Sequence, residues 1–274
     1  MAQSSRENIE DLDLETKPSD FIQKLNNFFE IIAELSLFSI RFFKNVFIPP
    51  YEFGEIKTHM VFLGVKTLPI VSVTGFIIGL VLAMQSQPVM QRFGAESFLP
   101  TMVSLSVVRE LGPVLTALIF AGRVSSGIGA ELGSMRVTEQ IDAMEVSGIN
   151  PFRFLVVTRI IACALILPIL TMYVNFLAII GGFIAIFLST GINFELYIDS
   201  VFKALSFSDL IPGTAKTIFF GFIVGVVGAY KGYNATNGTA GVGEASTSSV
   251  VLSSLLILIV DMVLVKITVW LWAV

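Results

Sequence analysis

Long apolar stretches constrain the fold of this chain more than any other feature of the sequence. A transmembrane helix needs about 20 consecutive, mainly apolar residues to cross the hydrocarbon core. Only 14% of the residues are charged, against about 25% in soluble domains. The sequence therefore predicts an all-α polytopic membrane protein with about five transmembrane helices. The expected spans are Val65–Met84, Thr101–Ala130, Phe152–Thr190, Ile211–Tyr230 and Val250–Trp272.

The third apolar stretch is longer than one membrane crossing requires. As a straight helix, Phe152–Thr190 would measure about 58 Å, against about 30 Å for the hydrocarbon core. Two crossings would need a turn near residues 168–175, but that segment has no charged residue and no glycine. We therefore expect one long helix that is kinked at Pro168 and projects beyond the membrane.

The N-terminal region differs in composition from the rest of the chain. Residues 1–19 are acidic and polar, lack the apolar core of a cleavable signal peptide, and predict a disordered tail. In residues 20–50, apolar side chains recur at three- and four-residue steps. This pattern predicts an interfacial amphipathic helix, with a soluble helix packed on the protein's own surface as the alternative. Residues 51–274 form the predicted transmembrane domain.

A polar segment between the second and third spans, residues 131–151, interrupts the apolar pattern, and we call it the polar island. Because it cannot lie in lipid, we expect a short helix outside the membrane. Its narrow apolar stripe would consist of Val137, Ile141 and Met144. Gly148 and Asn150 are expected to end this helix, and Pro151 to open the next one. A separate cytoplasmic subunit could dock on such a helix.

The distribution of lysine and arginine predicts the orientation in the membrane. These residues are concentrated before the first span, with others in the polar island and after the fourth span. The bias favours a cytoplasmic N-terminus. Five crossings then place the polar island and a Gly/Ser/Thr-rich loop expected over residues 231–249 in the cytoplasm, with the C-terminus outside.

Arg109 and Glu110 are ionisable residues at membrane depth, about 12 Å from the outer end of the second span. Neighbouring residues on a helix point about 100° apart, so at least one should face a hydrated cavity or another helix. The following Gly112-Pro113 would loosen the backbone locally. A contact with a substrate headgroup, a hinge, and a purely structural ion pair with another helix all fit this pattern.

Two further ionisable residues, Arg123 and Asp261, are expected to have structural roles. Arg123 lies closer to the cytoplasmic end of its span, where it could snorkel or pair. Asp261 lies in the middle of the last span. Lys266 lies about 140° further around that helix, so a direct ion pair between the two is not expected. We expect Asp261 to contact a different helix instead.

The sequence contains no motif for ATP binding, zinc binding or nucleophilic catalysis. The single cysteine, Cys163, excludes an intramolecular disulfide, and an orienting or capping role is expected for the single histidine, His59. We therefore expect no catalytic residue, no metal site and no cofactor on this chain. Any source of energy would belong to another chain.

Several motifs, taken in order, resemble the MlaE/YrbE family, the permease subunits of ABC lipid transporters that work with MCE proteins. The resemblance runs from about residue 50 to the C-terminus. The motifs are Arg109–Pro113, Ala121–Arg123, Glu131–Gln140, Ile141–Glu145 and residues 238–251. Glu244 departs from the family, which often has a basic residue at this position.

This resemblance implies a permease homodimer in the bacterial inner membrane that moves phospholipid or a related lipid between inner and outer membranes. It implies cytoplasmic ATPase subunits that bind the ATP and Mg²⁺, a periplasmic MCE hexamer, and room for a small STAS-type cytoplasmic subunit. No nucleic acid is implied as a partner. Arg109 and Glu110 would face a lipid cavity between the two permeases.

The resemblance also implies that residues 131–150 form a coupling helix seated on the ATPase. The side chains expected to carry this contact are Arg136, Glu139, Gln140, Asp142 and Glu145. Two other classes of protein compete with this interpretation. A secondary transporter or channel subunit for a small amphipathic solute would have more charged or broken-helix sites near the midplane, and a membrane-embedded enzyme would need a catalytic cluster.

Overall fold

The computed structural model describes residues 20–49, 51–236 and 238–272, and the chain divides into two compact units, residues 1–44 and 45–274. The disordered tail predicted for residues 1–19 lies outside the described residues. Helix α1 runs from Asp20 to Val46. Its residues 20–44 are the described part of the first unit, and its last two residues belong to the second unit. A helix in this region is therefore confirmed, while its placement at the membrane interface stays a prediction.

The second unit is a bundle of helices, and its described residues contain no strand. Five of these helices are long and apolar enough to cross a membrane, which confirms the predicted number of spans. They are α2 (Phe53–Arg92), α3 (Glu96–Val137), α5 (Phe152–Thr190), α7 (Phe207–Tyr233) and α8 (Gly238–Trp272). Two shorter helices connect them: α4 (Gln140–Val146) and α6 (Phe194–Ala204).

The long third apolar stretch is one helix, as predicted, and Pro168 lies inside it. Two segments outside the expected spans differ from the prediction. Helix α2 continues past the expected end of the first span at Met84 as far as Arg92, and the chain turns at Gly94 with a φ of +63°. The loop expected over residues 231–249 is mostly helix, because α8 already begins at Gly238.

Small side chains explain why the start of α8 is helical. The Ser126 and Ser246 hydroxyls are 2.7 Å apart, and the Ser125 and Ser253 hydroxyls are 2.9 Å apart. Ser253 is fully buried. Close packing on α3 therefore outweighs the weak helix propensity of glycine, serine and threonine.

Helices α2 and α5 approach each other through glycines on both helices, including Gly79 in the Gly75-Phe-Ile-Ile-Gly79 segment of α2 and Gly181 of α5. A Cβ atom added at Gly79 would lie 1.8 Å from the Ala178 carbonyl oxygen, and one added at Gly181 would lie 2.1 Å from the Phe76 carbonyl oxygen. No side chain fits at either position. These two backbones are in contact, which is how small residues bring membrane helices together.

Gly79→Ala is expected to lower the stability of the folded protein by about 1 to 3 kcal/mol, because α2 and α5 must move apart to accept the methyl group. Thermal unfolding of the purified protein in detergent measures the loss. Gly54→Ala in the same helix is the matched control, since a Cβ atom there meets nothing within 4 Å. Equal unfolding temperatures for the two variants would show that the α2–α5 contact is not tight.

Candidate functional site

Arg109 and Glu110 lie in a π-helical turn of α3, Val107–Leu111. The Gly112 N–H donates to the Val107 carbonyl five residues earlier, so the backbone is locally wider than an α-helix. Pro113, which has no N–H to donate, follows at once. A Cβ atom at Gly112 would lie 1.8 Å from the Asn175 side-chain oxygen, so only glycine fits there. The wide turn presents two adjacent charged side chains to different partners.

The partner of Arg109 is Asp209, in the first turn of α7. The Arg109 Nε donates to Asp209 Oδ1 at 2.7 Å, and Nη2 lies 2.5 Å from the same oxygen. The other oxygen of Asp209 accepts the Ser206 N–H at 3.0 Å and the Ser206 hydroxyl at 2.7 Å. The first of these bonds is half of a capping box, in which the Ser206 side chain accepts the Asp209 N–H in return. Asp209 is therefore fixed at the helix end and holds one edge of the Arg109 guanidinium.

The partner of Glu110 is Lys216, two turns further along the same face of α7. The Lys216 Nζ lies 2.5 Å from Glu110 Oε2 and 2.9 Å from Asp261 Oδ1 on α8. The Lys216 side chain is only 5% exposed, whereas that of Glu110 is 44% exposed. One buried cation thus joins α3, α7 and α8 through two carboxylates. Asp261 meets another helix, as expected, and its cation is Lys216 on α7.

These side chains border a cavity of about 290 Å³, which we call the ion-pair cavity. Its charged lining is Arg109, Glu110, Asp209 and Lys216, and its apolar lining includes Val265 and Val269 of α8. More than half of the Arg109 side chain stays exposed despite its ion pair. Guanidinium and carboxylate groups are thus available to the polar end of an amphipathic molecule, beside an apolar wall.

Arg109 and Glu110 both line the ion-pair cavity, and each also forms an ion pair with a residue of α7. Asp209 and Lys216 were missed as site residues. Their spacing of seven positions puts both on one face of α7, which is the signal that could have identified them.

Arg123 lies in the second π-helical turn of α3, Ala121–Ser125. It lines a different cavity, near 300 Å³ in volume, together with Arg159 and Glu131. Arg159 is buried and its Nη2 lies 2.7 Å from Glu131 Oε1. The structural pairing suggested for Arg123 is not observed, since no ion pair to its side chain exists among the described residues.

The polar island is divided between two helices. Residues 131–137 complete α3, and a turn at Thr138–Glu139 separates them from α4. Val137 therefore lies on a different helix from Ile141 and Met144, and the predicted apolar stripe is divided. Glu139 has a φ of +58°, which is the only left-handed backbone conformation of a non-glycine residue in the described chain. Gly148 with a φ of +78° follows α4, and Pro151 precedes α5, as predicted.

The side chains of α4 separate into an anchored and an exposed set. Ile141 is buried, and Asp142 lies 2.5 Å from Arg136, so these residues hold α4 against the end of α3. The exposed set, which we call the α4 surface, consists of Glu139, Gln140, Glu145 and Val146. Within the described part of the chain, the three polar side chains of this surface have no hydrogen bond or ion pair. Val146 is 91% exposed.

Comparison with known protein families identifies the family of this chain. A family model described as Permease MlaE matches residues 56–267, from the start of α2 to near the end of α8. The chain belongs to the MlaE permease family. The predicted family is therefore confirmed, and the match includes the four charged residues of the ion-pair cavity, Arg123 and the α4 surface.

Relatives of this MlaE-family chain carry related names. A probable ABC transporter permease protein of Rickettsia bellii is 41% identical over 228 residues, which is 83% of this chain and 88% of the relative. The intermembrane phospholipid transport system permease protein MlaE of Haemophilus influenzae is 35% identical over 79% of this chain and 83% of the relative. The chloroplastic protein TRIGALACTOSYLDIACYLGLYCEROL 1 of Arabidopsis thaliana is 34% identical over 73% of this chain and 57% of the relative. The MlaE-family chain is a multi-pass ABC transporter permease.

Proposed function

We propose that this permease moves phospholipid or a related lipid between the inner and outer membranes of a bacterium, driven by ATP hydrolysis on a separate subunit. The ion-pair cavity is the observation that carries the proposal. It combines the Arg109 guanidinium, which is still more than half exposed, with the half-exposed Glu110 carboxylate and an apolar wall, all within the membrane-spanning helices. The name of the Haemophilus influenzae relative supports phospholipid as the cargo.

Arg109 and Glu110 have complementary roles in this proposal. The exposed N–H groups of Arg109 would donate to the phosphate of the headgroup, while Asp209 keeps the guanidinium in place. Glu110 would accept from hydroxyl or ammonium groups of the same headgroup. The apolar side chains of α8 at the edge of the cavity would contact the first methylene groups of the acyl chains.

We propose that two copies of the chain form the complete lipid cavity. Helix α8 supports this, since its span is mostly unburied and carries large apolar side chains that are more than half exposed. Examples are Val251, Leu258, Met262 and Val269. Val269 also lines the ion-pair cavity, so a second copy on this face would extend the cavity.

The α4 surface would contact the ATPase. We place the protein in the inner membrane, with its N-terminus in the cytoplasm and its C-terminus in the periplasm. An acidic exposed surface next to a buried anchor fits a rigid coupling element. A periplasmic MCE hexamer and a small STAS-type cytoplasmic subunit are the further partners that family membership suggests.

A secondary transporter or channel subunit for a small amphipathic solute is the second candidate. The observation in its favour is the group of five ionisable side chains at membrane depth, which is common on ion pathways. The two candidates differ in whether lipid is retained at the site and whether ATP is needed.

Arg109→Ala is expected to reduce lipid bound at the ion-pair cavity about tenfold, because a charge-assisted contact with the headgroup is lost. Glu110→Gln should have a smaller effect in the same direction. Lipid crosslinked to a photoreactive phenylalanine analogue at Val269, in the lining of this cavity, and lipid transfer between vesicles measure both. Arg92→Ala is the control, since Arg92 is exposed at the end of α2 and lines neither cavity. Unchanged lipid occupancy and transfer in both variants would make the ion pairs purely structural.

A further inference from the structure

The second cavity, between α2, α3 and α5, differs from the ion-pair cavity in its charge, and we call it the cationic cavity. Its lining includes three cationic side chains, Lys66, Arg123 and Arg159, against the one carboxylate of Glu131. His59 adds an imidazole ring to this lining. In the ion-pair cavity, by contrast, cations and carboxylates are matched and paired. The excess positive charge would attract an anionic ligand into this cavity.

Arg159 gives a second, independent sign of a missing partner. It is 4% exposed, and its Nη1 donates to the Leu155 carbonyl at 2.8 Å while Nη2 donates to Glu131 at 2.7 Å. Its Nε is buried without an acceptor among the described residues. A buried donor left without an acceptor costs about 1 to 3 kcal/mol, so such groups usually have a partner in the working protein.

The other two cations, Lys66 and Arg123, border the cavity and have no ion pair with any residue that the structure describes. The Lys66 ammonium lies over the Phe62 ring, 3.6 Å from its centroid, which positions the charge without cancelling it. Arg123 is exposed within its π-helical turn and has no ion pair in the described part of the chain. Both side chains can therefore donate to an added anion.

The remaining lining is apolar, which indicates an amphipathic ligand. Phe62, Leu63, Val124 and Ile128 form this wall. A free phosphate ion would leave it unused. A phospholipid would place its phosphate among the cations and its acyl chains along the wall, beside the largely unburied surface of α2.

The position along the helices places this cavity on one side of the membrane. His59 lies about 9 Å and Lys66 about 20 Å from the start of α2, so the cavity lies towards the same helix ends as the polar island. These ends are cytoplasmic in the orientation of the proposed function, and the choice of leaflet rests on that orientation. The binding chemistry does not rest on it.

We propose that the cationic cavity binds the anionic headgroup of a phospholipid from the cytoplasmic leaflet, at a site separate from the ion-pair cavity. Arg123 and Lys66 donate to the phosphate oxygens, and Arg159 supplies the buried Nε. Glu131 competes with the phosphate for Arg159, which limits the affinity of the site.

The test uses the full-length chain, with its co-purifying subunits, in nanodiscs of phosphatidylcholine containing a minor fraction of phosphatidylglycerol. A photoreactive phenylalanine analogue at Phe62, in the lining of this cavity, captures lipid bound there, and mass spectrometry identifies the crosslinked lipid. Lys66→Ala and Arg123→Ala should each lower phosphatidylglycerol crosslinking about tenfold. Lys57→Ala and Arg92→Ala, which remove exposed charges outside the cavity, should leave it unchanged.

Glu131→Gln separates ligand binding from a structural role of these charges. Removing the competing carboxylate should raise phosphatidylglycerol crosslinking, whereas a merely structural ion pair would give no gain. Equal crosslinking in the native protein, Lys66→Ala and Arg123→Ala would overturn the proposal. So would inorganic phosphate binding in lipid-free detergent as tightly as phosphatidylglycerol, since that would make the ligand a free anion.

Arg109→Ala distinguishes this inference from the proposed function. Crosslinking at Phe62 should persist in Arg109→Ala even where transport is lost, which supports two separate sites. Loss of crosslinking in that variant would show that lipid reaches Phe62 only through the ion-pair cavity and would contradict an independent site.

Discussion

Lys216→Met is expected to destabilise the folded protein by about 3 kcal/mol, because it leaves two carboxylates without their shared cation. Lys216 is buried between Glu110 on α3 and Asp261 on α8. Methionine fills a similar volume, so the loss would come from uncompensated charge. Because Glu110 is half-exposed, water can solvate its carboxylate when the cation is lost. The expected loss of stability is therefore at the lower end of the range for breaking a buried ion pair. The midpoint of thermal unfolding in detergent measures the change.

Lys203→Met is the matched control for this variant. Lys203 also pairs with a carboxylate, Asp199, at 2.6 Å, but both side chains are largely exposed. An exposed pair of this kind contributes at most about 1 kcal/mol. The double variant Lys216→Met with Glu110→Gln should recover part of the loss, because one stranded carboxylate is removed. Equal unfolding midpoints for Lys216→Met and Lys203→Met would show that the buried pairs do not hold α3, α7 and α8 together.

Glu145→Lys is expected to weaken binding of the ATPase about tenfold or more, because it reverses a charge at the centre of the proposed coupling contact. The Glu145 side chain is exposed, has no hydrogen bond or ion pair to any residue that the structure describes, and sits on a helical backbone. It is a cleaner test than Glu139, whose left-handed backbone would add strain effects to a charge change. The amount of ATPase that co-purifies with the tagged permease measures the effect.

The control for Glu145→Lys is Glu195→Lys, an exposed reversal at the start of α6, on the opposite side of the membrane in the proposed orientation. Its ATPase binding should equal that of the native protein. Thermal unfolding should be the same in both variants, since neither side chain is buried. Full ATPase binding by Glu145→Lys would place the coupling contact elsewhere on the chain.

The number of spans could be predicted from the sequence because it depends on local properties. Length and hydropathy identify a transmembrane helix without knowledge of its neighbours. Residues 238–249 show where this fails. Their glycine, serine and threonine residues have low helix propensity, and only contacts such as Ser126 with Ser246 reveal why they are helical.

The candidate site was only half predictable for a similar reason. Arg109 and Glu110 stand out because charges are costly at membrane depth. Their partners Asp209 and Lys216 are about a hundred residues away, and each lies near an expected span boundary, where a charge is unremarkable. The π-helical turns are likewise hidden, since Pro113 indicates a loosened backbone but not the direction in which the side chains point.

Lipid transfer in proteoliposomes tests the central claim most directly. The intact complex, with its ATPase bound, would be reconstituted with a fluorescent phospholipid, and lipid transfer would be followed with and without ATP. The account predicts transfer that requires ATP and is largely lost in Arg109→Ala. Transfer of the lipid, or of a small amphipathic solute, by this chain alone along an ion gradient would contradict it.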